Sequence, residues 1–230
     1  MAIGLEIKQK RTIHPVKWLV VLFAIASVVF VAYYGFRWFM TGETLPFSIA
    51  KAANIGVPNV DTTDVTVGQV QAYTVSSTAP RYISIPSIGL DQTRIQGVGL
   101  TKNNVLDVPE NIHDAGWYTK SAYPGSGYGA ALLTAHSVGH EVDGAFKGLG
   151  GLSLGSVINI QRGDGKTFAY KVVSNETMAL EDAIPNGMRK MMLSADSTKE
   201  GLNLMTFAGN YIPRIGQFEK RVMVRAIIAN

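Results

Sequence analysis

His136 and His140 stand four positions apart, with Glu141 and Asp143 close by. On a helix that spacing turns two imidazoles to one face, where zinc could be held. The surroundings argue against it. Gly139 and Gly144 weaken a regular helix, and the glutamate of a metalloprotease motif would belong at 137, which is Ser137. No metal site and no cofactor are expected, and His140 reads as a loop histidine. Gly165-Lys166-Thr167 suggests a phosphate loop, but the first glycine of that pattern falls on Ile160, and the context is a hairpin rather than a strand-to-helix turn. His136 differs from these because it directly follows Leu132-Leu133-Thr134-Ala135, an apolar strand able to fix an imidazole at a sheet edge. A histidine so placed can serve proton transfer, although strand-end histidines are more often structural. The chain contains no cysteine, which excludes disulfides, thiolate metal sites and thiol catalysis.

The elements that must position His136 begin with a membrane segment. Trp18 to Phe36 carries no formal charge and consists mostly of Val, Leu, Ile, Phe and Ala. At 1.5 Å per residue it reaches about 28 Å, close to the hydrocarbon thickness of a bilayer. Tyr33, Tyr34, Trp38 and Phe39 at one end and Trp18 at the other resemble interfacial aromatic belts. Lys8, Lys10, Arg11 and Lys17 precede the segment and place the N-terminus in the cytoplasm by the positive-inside rule. Two competing readings are a cleaved signal peptide and a buried core helix. The first lacks a cleavage site near the run, since Ala50-Lys51-Ala52 lies well beyond it. The second fits poorly with an uncharged run flanked by basic residues. The expected organisation is a cytoplasmic N-terminus at 1–17, a transmembrane helix at 18–40, an extracytoplasmic stalk at 41–79 and a folded domain at 80–230. The protein is thus read as single-pass, in the cell membrane, with its C-terminal domain extracellular. A net charge of +4 without a basic stripe interleaved with aromatics gives no sign of nucleic-acid binding.

From Pro80 the chain reads as short strands between turns. Arg81–Ile85, Ala130–Thr134, Val157–Gln161, Phe168–Val173, Leu202–Phe207 and Arg221–Ile228 are the strand candidates. Asp164-Gly165 between the third and fourth is a hairpin signal. Phe146–Leu149 and Asn186–Leu193 are short helical candidates. The fold class is mainly β, a mostly antiparallel barrel or sandwich with long loops.

Over most of residues 80 to 229 the chain resembles a sortase, the membrane-anchored cysteine transpeptidase of bacterial cell surfaces. Tyr82-Ile83-Ser84-Ile85-Pro86-Ser87-Ile88-Gly89-Leu90 is similar to the opening strand and loop of that family. Val98-Gly99-Leu100, Leu106-Asp107-Val108-Pro109 and Gly116-Trp117-Tyr118 look like the stretch found in classes without an extra N-terminal subdomain, such as classes E and F. Pro124-Gly125 through Leu133-Thr134-Ala135-His136-Ser137 resembles the strand delivering the catalytic histidine, with Ala135 where glycine is usual. Phe146-Lys147-Gly148-Leu149, Leu154-Gly155-Ser156 and the Asp164-Gly165 hairpin fit the next segment. Leu204-Met205-Thr206 and Phe218-Glu219-Lys220-Arg221-Val222 look like the strands carrying nucleophile and arginine.

The resemblance implies a closed barrel of about eight strands in which a histidine, a cysteine and an arginine converge at one end. There a thiolate attacks a sorting-signal peptide, the histidine protonates the leaving amine, and the arginine steadies the substrate or the oxyanion. By position these are His136 and Arg221, with Phe207 where the cysteine belongs and Thr206 and Ala208 as substrate-binding neighbours. A phenyl ring cannot attack a carbonyl. Thr206 should face the opposite side of the strand from residue 207. A register shifted by one would put Ala208 at the nucleophile position instead. The expected function is that of a sortase-family surface protein, inactive as it stands, binding a sorting-signal peptide or surface protein. An active or engineered-inactive transpeptidase and a purely structural envelope protein are the alternatives.

Overall fold

A computed structural model describes residues 15–43, 60–102, 104–139 and 142–229. Lys8, Lys10, Arg11, His140 and Glu141, which figured in the sequence reading, lie outside the described residues. The first element, α1 (Pro15–Thr41), is apolar along its membrane-length span, which is not buried against the rest of the chain, and only its C-terminal end meets the barrel. Such a helix has no core to enter and is long and apolar enough to cross a membrane.

Residues 60–79 lie along the barrel. A short helix, α2 (Val67–Ala72), starts at Thr66, whose hydroxyl accepts from the Gln69 amide while the Gln69 side chain accepts from the Thr66 amide, a reciprocal capping box. The Tyr73 hydroxyl donates to the Ile95 carbonyl at 2.6 Å and the Tyr82 hydroxyl to the Val70 carbonyl. Asn111 reaches back to Asp61 at 3.1 Å and to the Thr63 carbonyl at 2.9 Å.

The barrel strands are β1 (Pro80–Ile85), β2 (Leu90–Val98), β3 (Ala115–Tyr118), β4 (Ala130–Ala135), β5 (Val157–Arg162), β6 (Thr167–Ala179), β7 (Gly201–Ile212) and β8 (Gln217–Ile228). They close in the order β1-β2-β3-β4-β7-β8-β6-β5, with β2–β3 and β4–β7 parallel and the other pairs antiparallel. Closure leaves no free sheet edge. The Asp164-Gly165 hairpin joins β5 to β6, with Gly165 at φ 82°.

Alternation along the strands sorts side chains onto two faces. Ala131, Leu133 and Ala135 of β4, Leu202 and Leu204 of β7, and Val222, Val224 and Ala226 of β8 point into the main core. Leu132, Met205 and Met223 point outward into a second apolar cluster. That outer cluster is roofed by two segments. One is the helical stretch 180–191, whose Ala183 and Met191 pack down and whose end is tied by Asn203, donating to the Met191 and Leu193 carbonyls at 2.8 and 2.9 Å. The other is the loop carrying Leu106. The helix expected at Asn186–Leu193 therefore starts earlier, at Leu180. The one expected at Phe146–Leu149 is a turn leading into a 3₁₀ helix at Leu149–Gly151.

Candidate functional site

Three adjacent strands bring the chemistry-bearing residues together. Thr134 of β4 pairs with Met205 of β7, and Phe207 of β7 pairs with Arg221 of β8. The residue after β4, His136, therefore stands beside Phe207 at the same rim. Outward parity on β4 (132, 134), β7 (203, 205, 207) and β8 (221, 223) puts all three on the outer face, over the methionine-lined cluster. With two strand spacings between β4 and β8, the His136 and Arg221 backbones lie about 10 Å apart.

His136 is held from two directions. Its Nε2 lies 2.8 Å from the Pro109 carbonyl, and a carbonyl only accepts, so Nε2 carries the proton and Nδ1 is the basic nitrogen. Its own carbonyl accepts from the Phe146 amide at 2.9 Å. The chain can turn back this closely because residue 144 is glycine; a Cβ there would lie 2.2 Å from the His136 carbonyl oxygen. An antiparallel bridge pairs Val138 with Asp143.

Arg221 is 6% exposed and has no carboxylate partner among the described residues. Its guanidinium donates instead to Gln217 Oε1 at 2.7 Å and to the Phe218 and Lys220 carbonyls, each at 3.0 Å. Burial without a counter-charge pushes its pKa down to about 10. Phe207 covers it. The guanidinium carbon sits 4.7 Å from the Phe207 ring centroid, and Phe207 stacks on Phe218 at 5.7 Å, which in turn meets Tyr211 edge-on at 5.4 Å. A cation over an aromatic face is stabilised by about 0.5–2 kcal/mol, more as water is excluded.

Thr206 and Ala208 face the other way. The Thr206 hydroxyl donates to the Ala135 carbonyl at 2.7 Å, bracing β4 against β7 next to His136, and Ala208 packs against the interior core. The shifted register would thus put the nucleophile position inside the barrel, whereas position 207 opens on the face shared with His136 and Arg221. Two residues to which the sequence reading gave no role also belong to this face. Gln217 orients the guanidinium, and Thr134 lies buried between Leu132 and His136 with its hydroxyl unpaired among the described residues. Their residue types alone point to no role; strand register places them on this face.

A sequence profile described as Sortase, sortase domain, matches residues 83–229, more than half of the chain. The chain belongs to the sortase family. Sortase C from Clostridium perfringens SM101 is 20% identical, with 68% of this chain and 73% of that one covered and a TM-score of 0.47. Streptococcus agalactiae sortase C1 in complex with MTSET is 20% identical over 68% and 71%, at 0.49. A lid mutant of sortase A from Corynebacterium diphtheriae is 23% identical over 70% and 74%, at 0.48. No curated protein sequence matches.

Sortases are cell-surface enzymes acting on proteins that carry a sorting signal, and this sortase has no cysteine anywhere in its sequence. A cavity of about 470 Å³ lined by Gly125, Gly127, Phe168, Thr198, Lys199, Glu200 and Ile228 opens at the opposite rim, away from His136.

Burial holds the His136 pKa below the usual 6.5, opposed by the hydrogen bond to Pro109. Below pH 6.5 the unfolded imidazole takes up a proton that the folded one refuses, so the stability contribution is full above that pH and declines as pH falls toward the depressed folded value. His136→Gln should therefore flatten the acid side of the stability curve below pH 6.5 relative to wild type. Chemical denaturation at each pH checks this; parallel curves would refute it.

Proposed function

We propose that this sortase is a peptide-binding pseudoenzyme anchored in the cell membrane by α1, its N-terminus cytoplasmic and its barrel outside. The carrying observation is the Phe207 ring at the nucleophile position, stacked on the Arg221 guanidinium at 4.7 Å. The ring removes the only side chain from which a thioester could form, while the neighbouring donors and acceptors that would engage a peptide persist. In this reading His136 and Arg221 occupy the positions of the family's histidine and arginine. The outer face around Leu132, Met205 and Met223 supplies an adaptable apolar floor, as methionines do. The partner is a sorting-signal peptide or the surface protein bearing it.

The test uses the full chain in detergent micelles with a panel of sorting-signal peptides, with and without reductant and calcium. Saturable binding is expected, with no cleavage and no transfer to an amine. Turnover that disappears in His136→Ala would overturn the reading in favour of an active transpeptidase using another nucleophile. Absence of binding by any peptide would favour a structural envelope role.

A further inference from the structure

We infer that the end of the β7–β8 hairpin is a second membrane contact, which seats the candidate site at the level of anionic lipid headgroups. The inference rests on the reading of α1 as a membrane span. Trp18 to Trp38 is 20 residues of helical rise, about 30 Å, so the residues just after Trp38 emerge at the bilayer boundary. The hairpin meets α1 at this level. The Arg214 amide donates to the Phe39 carbonyl at 3.2 Å.

Gly42, which ends the helix in the left-handed conformation at φ 71° with its amide on the Trp38 carbonyl at 2.8 Å, is buried against β7. A Cβ at position 42 would lie 2.3 Å from the Tyr211 carbonyl oxygen. Glycine is thus required twice over, by the dihedral angle and by the close approach. The joint between helix and hairpin is accordingly specific, and the hairpin cannot stand clear of the boundary.

The hairpin tip has the composition of an interfacial element. Arg214 is exposed and forms no ion pair among the described residues, and Ile215 beside it is 39% exposed. A cation and an aliphatic side chain on one turn match a layer of phosphate over acyl chain. Behind the tip, Tyr211 and Phe218 connect to Phe207, so the contact is continuous with the candidate site. The opposite rim, where Tyr128 is 71% exposed, stands off by the length of β7, about 40 Å.

The absence of cysteine makes the test direct. Val28→Cys, Ile215→Cys and Tyr128→Cys, all at exposed positions, are spin-labelled in the full chain and reconstituted into phosphatidylcholine vesicles with and without phosphatidylglycerol. Collision with oxygen is compared with collision with a water-soluble nickel chelate. Oxygen should dominate at 28, the chelate at 128, and position 215 should shift at least threefold toward oxygen relative to 128. Arg214→Glu should reverse that shift in phosphatidylglycerol vesicles. Chelate access at 215 equal to that at 128, with 28 in lipid, overturns the inference and leaves the anchor standing. Chelate access at 28 overturns the anchor itself. A depth at 215 unchanged by Arg214→Glu overturns the assignment to anionic headgroups.

Discussion

Phe207→Cys is expected to convert a chain that takes up no thiol reagent into one labelled rapidly at neutral pH. The position faces outward at the rim, half-buried rather than enclosed, and its strand partner is Arg221. A thiol with a pKa of about 8.5 is roughly 3% thiolate at pH 7. At an effective dielectric near 20, a fixed cation about 5 Å away stabilises the anion by about 3 kcal/mol, an upper bound because burial acts against it. Half of that effect already raises the thiolate fraction about ninefold. Losing the ring removes its stacking on Arg221 and Phe218, so the variant should also be destabilised by about 1–3 kcal/mol.

The control is Ala208→Cys, whose side chain packs against the barrel interior. Its labelling should be at least tenfold slower in the folded protein. The comparison also weighs the two registers the sequence left open, because equal rates would mean that the outer face does not hold the nucleophile position. Protection of the Phe207→Cys thiol by a sorting-signal peptide, and loss of that protection when Arg221→Ala is added, would link this reactivity to peptide binding. Slow peptide cleavage dependent on His136 is the further expectation, since thiolate, proton donor and oxyanion partner would then share one face.

What the sequence disclosed depended on how local the physics was. Strand β4 announced itself as an apolar run because both faces of the sheet are buried there, all of 130–135 being inaccessible. The β5–β6 hairpin was legible from Asp164-Gly165, whose left-handed glycine is a local demand. Strand β2 was not legible, since only Ile95 of Leu90–Val98 is buried and the polar remainder shows no alternation. The strand expected at Leu202–Phe207 is too short. In fact Gly209, at φ 76°, sits in a bulge after which Tyr211 and Ile212 pair again with β8.

For the site, a strand end singled out His136, the family resemblance singled out Arg221, and period-two alternation led to the expectation that Thr206 points away from residue 207. The burial of Arg221 under Phe207, its dependence on Gln217 and the docking of 60–79 on the barrel arise from contacts between distant segments. No local pattern encodes them.

Glu200 shows what such a distant contact can carry. Its carboxylate is 4% exposed and accepts from the Gly125 and Gly127 amides, both at 2.7 Å, and from the Tyr170 hydroxyl. The glycines that punctuate 124–129 in the sequence form a cradle for this acid. Gly125 and Gly127 adopt φ 80° and 81°, and a Cβ on Gly125 would lie 2.3 Å from the Phe168 ring. Burial and the bond to Glu200 push the Tyr170 hydroxyl pKa well above its usual value, so tyrosine remains the donor. Glu200→Gln keeps the shape but replaces one acceptor oxygen with an NH₂ group facing N–H groups. Hydrogen bonds to a charged group contribute about 1.5–3 kcal/mol, and a buried donor left unpaired costs about as much again. A loss of about 2–4 kcal/mol is expected, lowering the thermal midpoint by roughly 5–15 °C for a domain of this size. Tyr170→Phe should cost about 1 kcal/mol, and the double variant should fall short of the sum because both act on one carboxylate. A midpoint shift below about 2 °C for Glu200→Gln would show that the cradle is not a stabilising unit. Glu200 lies at the far end of β4 from His136, about 20 Å away. Below its transition, Glu200→Gln combined with Phe207→Cys should therefore label at the same rate as Phe207→Cys alone, separating the rim that stabilises the barrel from the rim that faces the peptide.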